Sequence, residues 1–237
     1  MEWLLANRLQ VGLGVVIALV IGAYLTLQKT EALAKEEEAA EEMWGVIFPD
    51  VEVAGMSTNQ PMVVQLDNIS KKHTGTKAAA NAQFLAASEF FDQGKYTEAA
   101  AAFTLYLGMT SGGPLAAAAQ FGLAASQDAL GQKEKAQKGY EQIITQHVNA
   151  PEALQARVAW AKLLLVNSTP EGTDKARALL LAASQESQSA RIPGFWGREA
   201  QRMLAPLQAE GEEGDNSEKE KSQKAEEKKP AVEPSSE

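Results

Sequence analysis

The chain has 237 residues and a formal net charge of -9, and this charge is unevenly distributed. Acidic residues are concentrated in residues 31–60 and 210–237, whereas residues 61–209 are close to neutral. No segment has the dense positive charge that binding to nucleic-acid phosphates requires. The absence of cysteine excludes disulfides, thiol nucleophiles and thiolate zinc sites. We therefore expect no nucleic-acid partner and no metal or other cofactor.

The first apolar feature is the uncharged run Leu9–Leu27, which follows a short N-terminal tail of residues 1–8. A helix of this length spans about 28 Å, close to the roughly 30 Å hydrocarbon core of a bilayer. We expect a transmembrane helix over residues 9–27. The alternative is a cleaved signal peptide, because Ala32-Leu33-Ala34 has the small-x-small pattern of a cleavage site, although the apolar run exceeds a usual signal core.

Three small residues, Gly14, Ala18 and Gly22, are spaced four apart within the apolar run. This spacing places them on one face of a helix, where a second membrane helix can approach closely. They are the candidate residues for packing between membrane helices. Lysine and arginine counting does not decide the orientation of the anchor.

Residues 28–60 are predicted to form an acidic helical stalk followed by a loop. Alanine, glutamate and lysine dominate Thr30–Met43, and these residues favour helix but leave little to bury. We interpret the clustered glutamates as a charged, solvated face and not as a cation site. The apolar cluster at Trp44, Val46, Ile47 and Phe48 is expected to dock on the folded part of the chain, before an irregular loop at 49–61.

An internal repeat organises residues 61–209. Gly94, Ala99 and Phe103 recur as Gly131, Ala136 and Tyr140, each at an offset of 37 residues. The glycines stand where a helix must end, since glycine tolerates the left-handed C-cap conformation. The alanines are small enough for two helices to cross closely, and the aromatic residues fill the space between neighbouring hairpins. The pattern predicts helical hairpins that stack into a solenoid.

Looser copies flank the two clear ones. Ala176 and Leu180 repeat the pattern at an offset of 40 residues, and residues 192–209 have the amphipathic character of a terminal capping helix. An apolar stripe from Val63 to Ile69 precedes the first hairpin and is predicted to be the second helix of a hairpin that lacks its first. The predicted fold class is all-α, with an N-terminal transmembrane helix followed by a tetratricopeptide-like solenoid of helical hairpins.

These positions resemble the glycine, small residue and large residue of the tetratricopeptide repeat. Taken from Leu9 to Ala209, the chain is similar to the YfgM-like family of bacterial inner-membrane proteins, and residues 66–79 (LDNISKKHTGTKAA) carry most of the likeness. The resemblance implies one membrane anchor and a periplasmic repeat domain that associates with the secretion translocon and with periplasmic chaperones.

The first helices of such repeats line a concave groove in which a partner segment can bind. The 37-residue register places eight candidate partner-binding residues there. They are Asn81, Phe84, Ser88, Asp92, Phe121, Asp128, Gln155 and Lys162. Phe84 and Phe121 are equivalent positions one repeat apart, and aromatic residues at helical spacing are also typical of plain core.

No catalytic constellation is visible in the sequence. His73 and His147 have no carboxylate or serine at a motif spacing and are expected to be solvated or capping residues. No phosphate-binding loop, Gly-x-Ser-x-Gly or His-Glu-x-x-His motif occurs. Residues 210–237 contain no aromatic residue and one large aliphatic, Val232, which predicts a disordered acidic and lysine-rich tail.

The predicted function is that of a non-enzymatic scaffold, anchored in the bacterial inner membrane by one helix and with its repeat domain in the periplasm. Its partners are expected to be proteins, namely translocon subunits, chaperones or envelope proteins. The alternative is a structural organiser of the envelope or the division site that self-associates into homo-oligomers.

Overall fold

The computed structural model describes residues 8–48, 60–110, 112–166, 169–189 and 194–209. Nine helices and no strand occur in these ranges, as an all-α fold requires. The helices are α1 Arg8–Ile47, α2 Met62–Lys72, α3 Lys77–Asp92, α4 Tyr96–Met109, α5 Ala116–Ala129, α6 Lys133–Gln146, α7 Pro151–Leu165, α8 Pro170–Ser189 and α9, residues 195–209. The chain divides into two compact units between Ser126 and Gln127, near the end of α5.

The turns within the predicted hairpins are built by the two repeated glycines. Gly94 and Gly131 both have a φ of +73°, in the left-handed region that favours glycine. After α3, the Gly94 N–H donates to the Phe91 carbonyl and the Lys95 N–H donates to the Phe90 carbonyl, each at 2.9 Å. This pair of bonds is a Schellman motif, which satisfies carbonyls that the helix end leaves free. The sequence-based prediction of helix ends at both glycines is confirmed.

The repeated alanines and large residues are packing positions, as the 37-residue register predicts. Ala99 and Ala136 are fully buried, and so are Phe103 and Tyr140 to within a few per cent. In the looser third copy, Ala176 and Leu180 are fully buried as well. In the first unit, Phe103 belongs to a cluster formed by residues of α3, α4 and α5. The register therefore describes the core of the hairpins correctly.

The second unit has its own core, shared by α7, α8 and α9. Val158, Leu180 and Leu204 are among its buried members, and Trp196 packs at its margin. The predicted capping helix is thus present as α9. Its first aromatic residue, Phe195, is 62% exposed and only stacks edge-on against Trp196, with ring centroids 5.0 Å apart.

The end of α1 corrects the prediction of a solvated stalk. Ala39, Met43 and Val46 are buried, and Met43 and Val46 pack against residues of α2 and α3. The Glu36 carboxylate accepts the Lys77 and Ala78 backbone N–H groups at 2.7 and 2.8 Å, which satisfies free donors at the start of α3. The final turns of α1 therefore pack where the missing first helix of the N-terminal hairpin would lie.

The apolar cluster after the stalk docks only in part. Val46 is buried and Ile47 half-buried, but Trp44 is 54% exposed and Phe48 49% exposed, with their rings stacked at 5.2 Å. Residues 49–59, most of the predicted loop, lie outside the described residues, as does the tail from residue 210.

Among the residues that the structure describes, no helix has the length and apolar character needed to span a bilayer. The predicted anchor begins at Leu9, and the side chains of residues 9–18, including Gly14 and Ala18, lie outside the described ones. Gly22 is described, and its Cα faces open space with no atom within 4 Å of an added Cβ.

Candidate partner-binding pocket

An apolar cavity of about 220 Å³ opens in the first unit between α3 and α5. Apart from Ser88 and Asp92, its lining consists of aromatic rings and small residues. The lining residues are Phe84, Ser88, Phe91, Asp92, Phe103, Ala118, Phe121, Gly122 and Ala125. The structure thus brings together four of the eight predicted groove residues, namely Phe84, Ser88, Asp92 and Phe121.

Edge-to-face aromatic contacts hold the rings of the pocket in place. The Phe84 ring lies 5.8 Å from the Phe103 ring and 5.5 Å from the Tyr106 ring, both in T-shaped geometry. Such pairs are worth about 0.5–1.5 kcal/mol beyond the area they bury. Phe84 is nevertheless only half-buried, so one part of its ring belongs to the core and another part lines the cavity.

Gly122 permits the close approach of α5 to the Phe103 ring. A Cβ added at Gly122 would lie 2.3 Å from the nearest ring carbon of Phe103, far inside contact distance. Gly122 is not among the residues predicted from the sequence. One feature of the sequence could have identified it, namely that it is a glycine inside an alanine-rich helix. A glycine at such a position destabilises the helix by about 1 kcal/mol relative to alanine, so its presence indicates a close contact there.

The polar residues at the pocket differ in what they can offer a ligand. The Ser88 hydroxyl donates to the Phe84 carbonyl at 3.1 Å, so its proton is used within α3. Asp92 is exposed at the rim as the last residue of α3. In the described part of the chain, its carboxylate has no hydrogen bond or ion pair. Asn81 is exposed on α3 but does not line the cavity.

The remaining predicted groove residues lie in the second unit. Asp128 is half-buried, and burial raises the pKa of its carboxyl group while the nearby Lys133 charge opposes that rise. Gln155 is half-buried on α7. Lys162 is exposed, pairs with Glu199 at 3.0 Å and lies 6.0 Å from the centre of the Trp196 ring.

A second polar cluster lies where α1 meets α2. The Lys72 ammonium pairs with Glu42 and, at 3.3 Å, with Glu38. His73 is buried and is the C-cap of α2, so of the two predicted roles, solvated or capping, the capping role is the one observed. Its Nε2 lies 3.0 Å from the second Glu42 oxygen. Burial raises the pKa of Glu42, but hydrogen bonds from Lys72 and His73 outweigh that effect and lower it overall.

This cluster has carboxylate and imidazole atoms within 4.8 Å of one another, which is a spacing that a metal ion can bridge. The lysine ammonium already supplies positive charge to both carboxylates. The arrangement is therefore that of an ion-pair cluster that fixes α1 to α2.

His147, the second histidine of the chain, is the C-cap of α6, where its backbone N–H donates to the Ile143 carbonyl at 2.9 Å.

Comparison with known proteins places the fold but not the family. No protein-family model matches the chain, and no curated protein does. A crystal structure of nearly identical TPR-like repeats from Podosopora anserina, a protein named for the kinesin light chain, superposes with a TM-score of 0.51. It is 18% identical over 79% of this chain and 90% of that one.

A substituted form of the same repeats gives a TM-score of 0.52 at 17% identity, covering 82% of this chain and 93% of that one. PcrH from Pseudomonas aeruginosa, at 16% identity, covers 56% of this chain and 94% of its own with a TM-score of 0.49. The two Podosopora structures establish that this chain has the fold of TPR-like helical repeats.

Proposed function

We propose that this chain is a non-enzymatic, membrane-anchored scaffold that binds an apolar segment of a partner protein in the pocket between α3 and α5. The observation that carries the proposal is the open aromatic pocket of a TPR-like unit. Protein partners in general follow from this kind of fold. The particular partner class proposed is a subunit of the secretion translocon or a chaperone, on the strength of the YfgM-like resemblance.

The pocket has the chemistry of an anchor site for one large side chain. Four phenylalanine rings line it, and burying a leucine or phenylalanine side chain contributes about 1.5–3 kcal/mol. The T-shaped contacts of Phe84 hold its ring in position before any ligand arrives, which reduces the ordering cost of binding. Interfaces draw most of their affinity from such central, preorganised pockets.

The exposed part of α1 supports the anchor. Leu19, Val20 and Ile21 are consecutive, and each is more than half exposed, as are Leu25 and Leu27. At about 100° per residue these side chains spread over more than half of the helix circumference, and an exposed apolar surface of that width is suited to contact with lipid. We propose residues 9–27 as the anchor, in the inner membrane, with both repeat units on the periplasmic side.

Site-specific photo-crosslinking in intact membranes tests the scaffold. A photoreactive phenylalanine analogue replaces Phe121 in the pocket, and a matched control replaces Leu105, which is half-exposed on α4 outside the pocket. We expect crosslinks to translocon subunits or periplasmic chaperones from Phe121 and not from Leu105, identified by mass spectrometry.

A pocket-filling substitution provides the second control. Ala125→Leu places a larger side chain in the cavity without removing any core group, whereas Ala101→Leu adds the same side chain at an exposed position of α4. The first variant should lose the crosslinks and the second should keep them. Products containing only this chain would instead support the self-associating structural organiser, and equal crosslinking from both positions would refute a binding role for the pocket.

A further inference from the structure

We propose that the segment bound in the pocket carries an arginine or lysine beside its apolar anchor, and that this cation pairs with Asp92. The inference rests on the proposed function and specifies the chemistry of the partner. It is carried by the Asp92 carboxylate, which has no ion pair among the described residues and lies at the rim of a mostly apolar cavity.

Asp92 lies at the end of α3, where a helix favours positive charge. Asp92 is the last residue of α3, and the last turn of this helix contains no basic residue. The C-terminal end of a helix carries partial negative charge, so a cation is favoured there and a carboxylate is not. A ligand cation at this point would therefore interact favourably with both the side chain and the helix end.

Within the part of the chain that the structure describes, neighbouring side chains do not already supply that cation. Lys95, three residues further on, donates to the Gln93 side chain at 2.8 Å and lies 6.0 Å from the centre of the Phe90 ring. The other acid of the last turn, Glu89, accepts a hydrogen bond from Gln93 at 2.7 Å. Asp92 is thus the carboxylate of this helix end that remains available to a ligand.

The rest of the lining suits the stem of a basic residue. Arginine and lysine bury their methylene groups along apolar surface while the charged head stays at the rim. The faces of the Phe84, Phe91 and Phe121 rings attract cations, and a guanidinium can also stack on them. An acidic flanking residue would meet the Asp92 carboxylate instead and be disfavoured, so the pocket selects the sign of the charge as well as apolar character.

Selection from a phage library of random short peptides tests this chemistry on the full chain. We expect the wild-type chain to enrich peptides in which arginine or lysine lies next to a large apolar residue. Asp92→Lys should reverse the preference to aspartate or glutamate, and Asp92→Asn should abolish it. The control Glu141→Lys makes the same charge change at an exposed position of α6 and should leave the selected peptides unchanged.

The selected peptides then provide an affinity measurement by fluorescence anisotropy. Exposed ion pairs of this kind change affinity by about two- to fivefold, so Asp92→Asn should weaken binding by that factor. If the wild-type chain and its Asp92 variants select apolar peptides with the same charge preference, the inference is wrong while the apolar pocket stands. If Ala125→Leu leaves selection intact, or the wild-type chain selects nothing apolar, the proposed function fails too.

Discussion

The contact between Gly122 and Phe103 can be tested with a pair of identical substitutions that have opposite expected effects. Gly122→Ala adds a Cβ that would lie 2.3, 2.5 and 2.7 Å from three carbons of the buried Phe103 ring. Gly108→Ala adds the same group in α4, where nothing lies within 4 Å of it. The two variants therefore share the gain in helix propensity and differ in the clash.

The magnitudes follow from the two effects. Replacing glycine by alanine within a helix stabilises by about 0.5–1 kcal/mol, so Gly108→Ala should raise the free energy of unfolding by that amount. Forcing an extra group into a packed core costs about 1–3 kcal/mol. Gly122→Ala should therefore lower the free energy of unfolding by up to about 2.5 kcal/mol, and the difference between the two variants should be about 1–3 kcal/mol, the overpacking effect alone.

Equilibrium urea unfolding of the full chain, followed by far-UV circular dichroism, measures both variants. Because Phe103 lines the pocket, displacement of its ring should also reduce crosslinking from Phe121 in Gly122→Ala and not in Gly108→Ala. If Gly122→Ala is as stable as Gly108→Ala, the close approach of α5 to the Phe103 ring is not a property of the protein, and the reasoning fails.

Other changes test the turns, the packing of the end of α1 on α2 and α3, and the proposed membrane anchor. Gly94→Ala should lower the free energy of unfolding by about 1 kcal/mol, measured by urea unfolding, because its φ of +73° disfavours a Cβ. Glu36→Ala removes the acceptor for two N–H groups of α3 and should cost about 1 kcal/mol, with faster hydrogen exchange in the first turn of α3. The pKa of Glu42 in the folded protein lies below its ordinary value of 4.5. Its ion pair therefore stabilises the packing of α1 on α2 above pH 4.5, and this stabilisation is lost as the pH falls through the lowered pKa. The protection of amides at the end of α1, measured relative to their intrinsic exchange rates, should fall at acid pH, and Glu42→Gln should remove this dependence. Deleting Leu9–Leu27 should release a still-helical chain from membranes, which fractionation and circular dichroism would show.

The hairpins could be predicted from sequence because their determinants are local. A glycine at a helix end, such as Gly94 or Gly131, satisfies free carbonyls through its own neighbours, and the small and large residues that follow belong to the same helix. The same register placed Phe84, Ser88 and Asp92 at intervals of four, which puts them on one face of α3. Their meeting in one cavity follows from that face turning toward α5.

The packing of α1 on α2 and α3 could not be predicted in the same way, because its hydrogen bonds and ion pairs join residues far apart in the chain. Glu36 caps a helix that begins 41 residues later, and Glu42 pairs with Lys72 across 30 residues. A stretch rich in alanine and glutamate suits a solvated helix and a docked one equally well. What distinguishes them is the partner surface: the free N–H groups at the start of α3 and a buried histidine at the end of α2.

Phe84 shows why a choice between core and groove is too simple for repeat proteins. Its ring packs edge-on against Phe103 and Tyr106 and also lines the open cavity, so one side chain stabilises the hairpin and shapes the site. Truncating it would remove core contacts and pocket wall together, and lost binding could then reflect unfolding. Ala125 lines the same cavity but is only half-buried, so enlarging it changes the space available to a ligand while the aromatic contacts remain. For this reason the binding role of the pocket is better tested by filling it than by removing its rings.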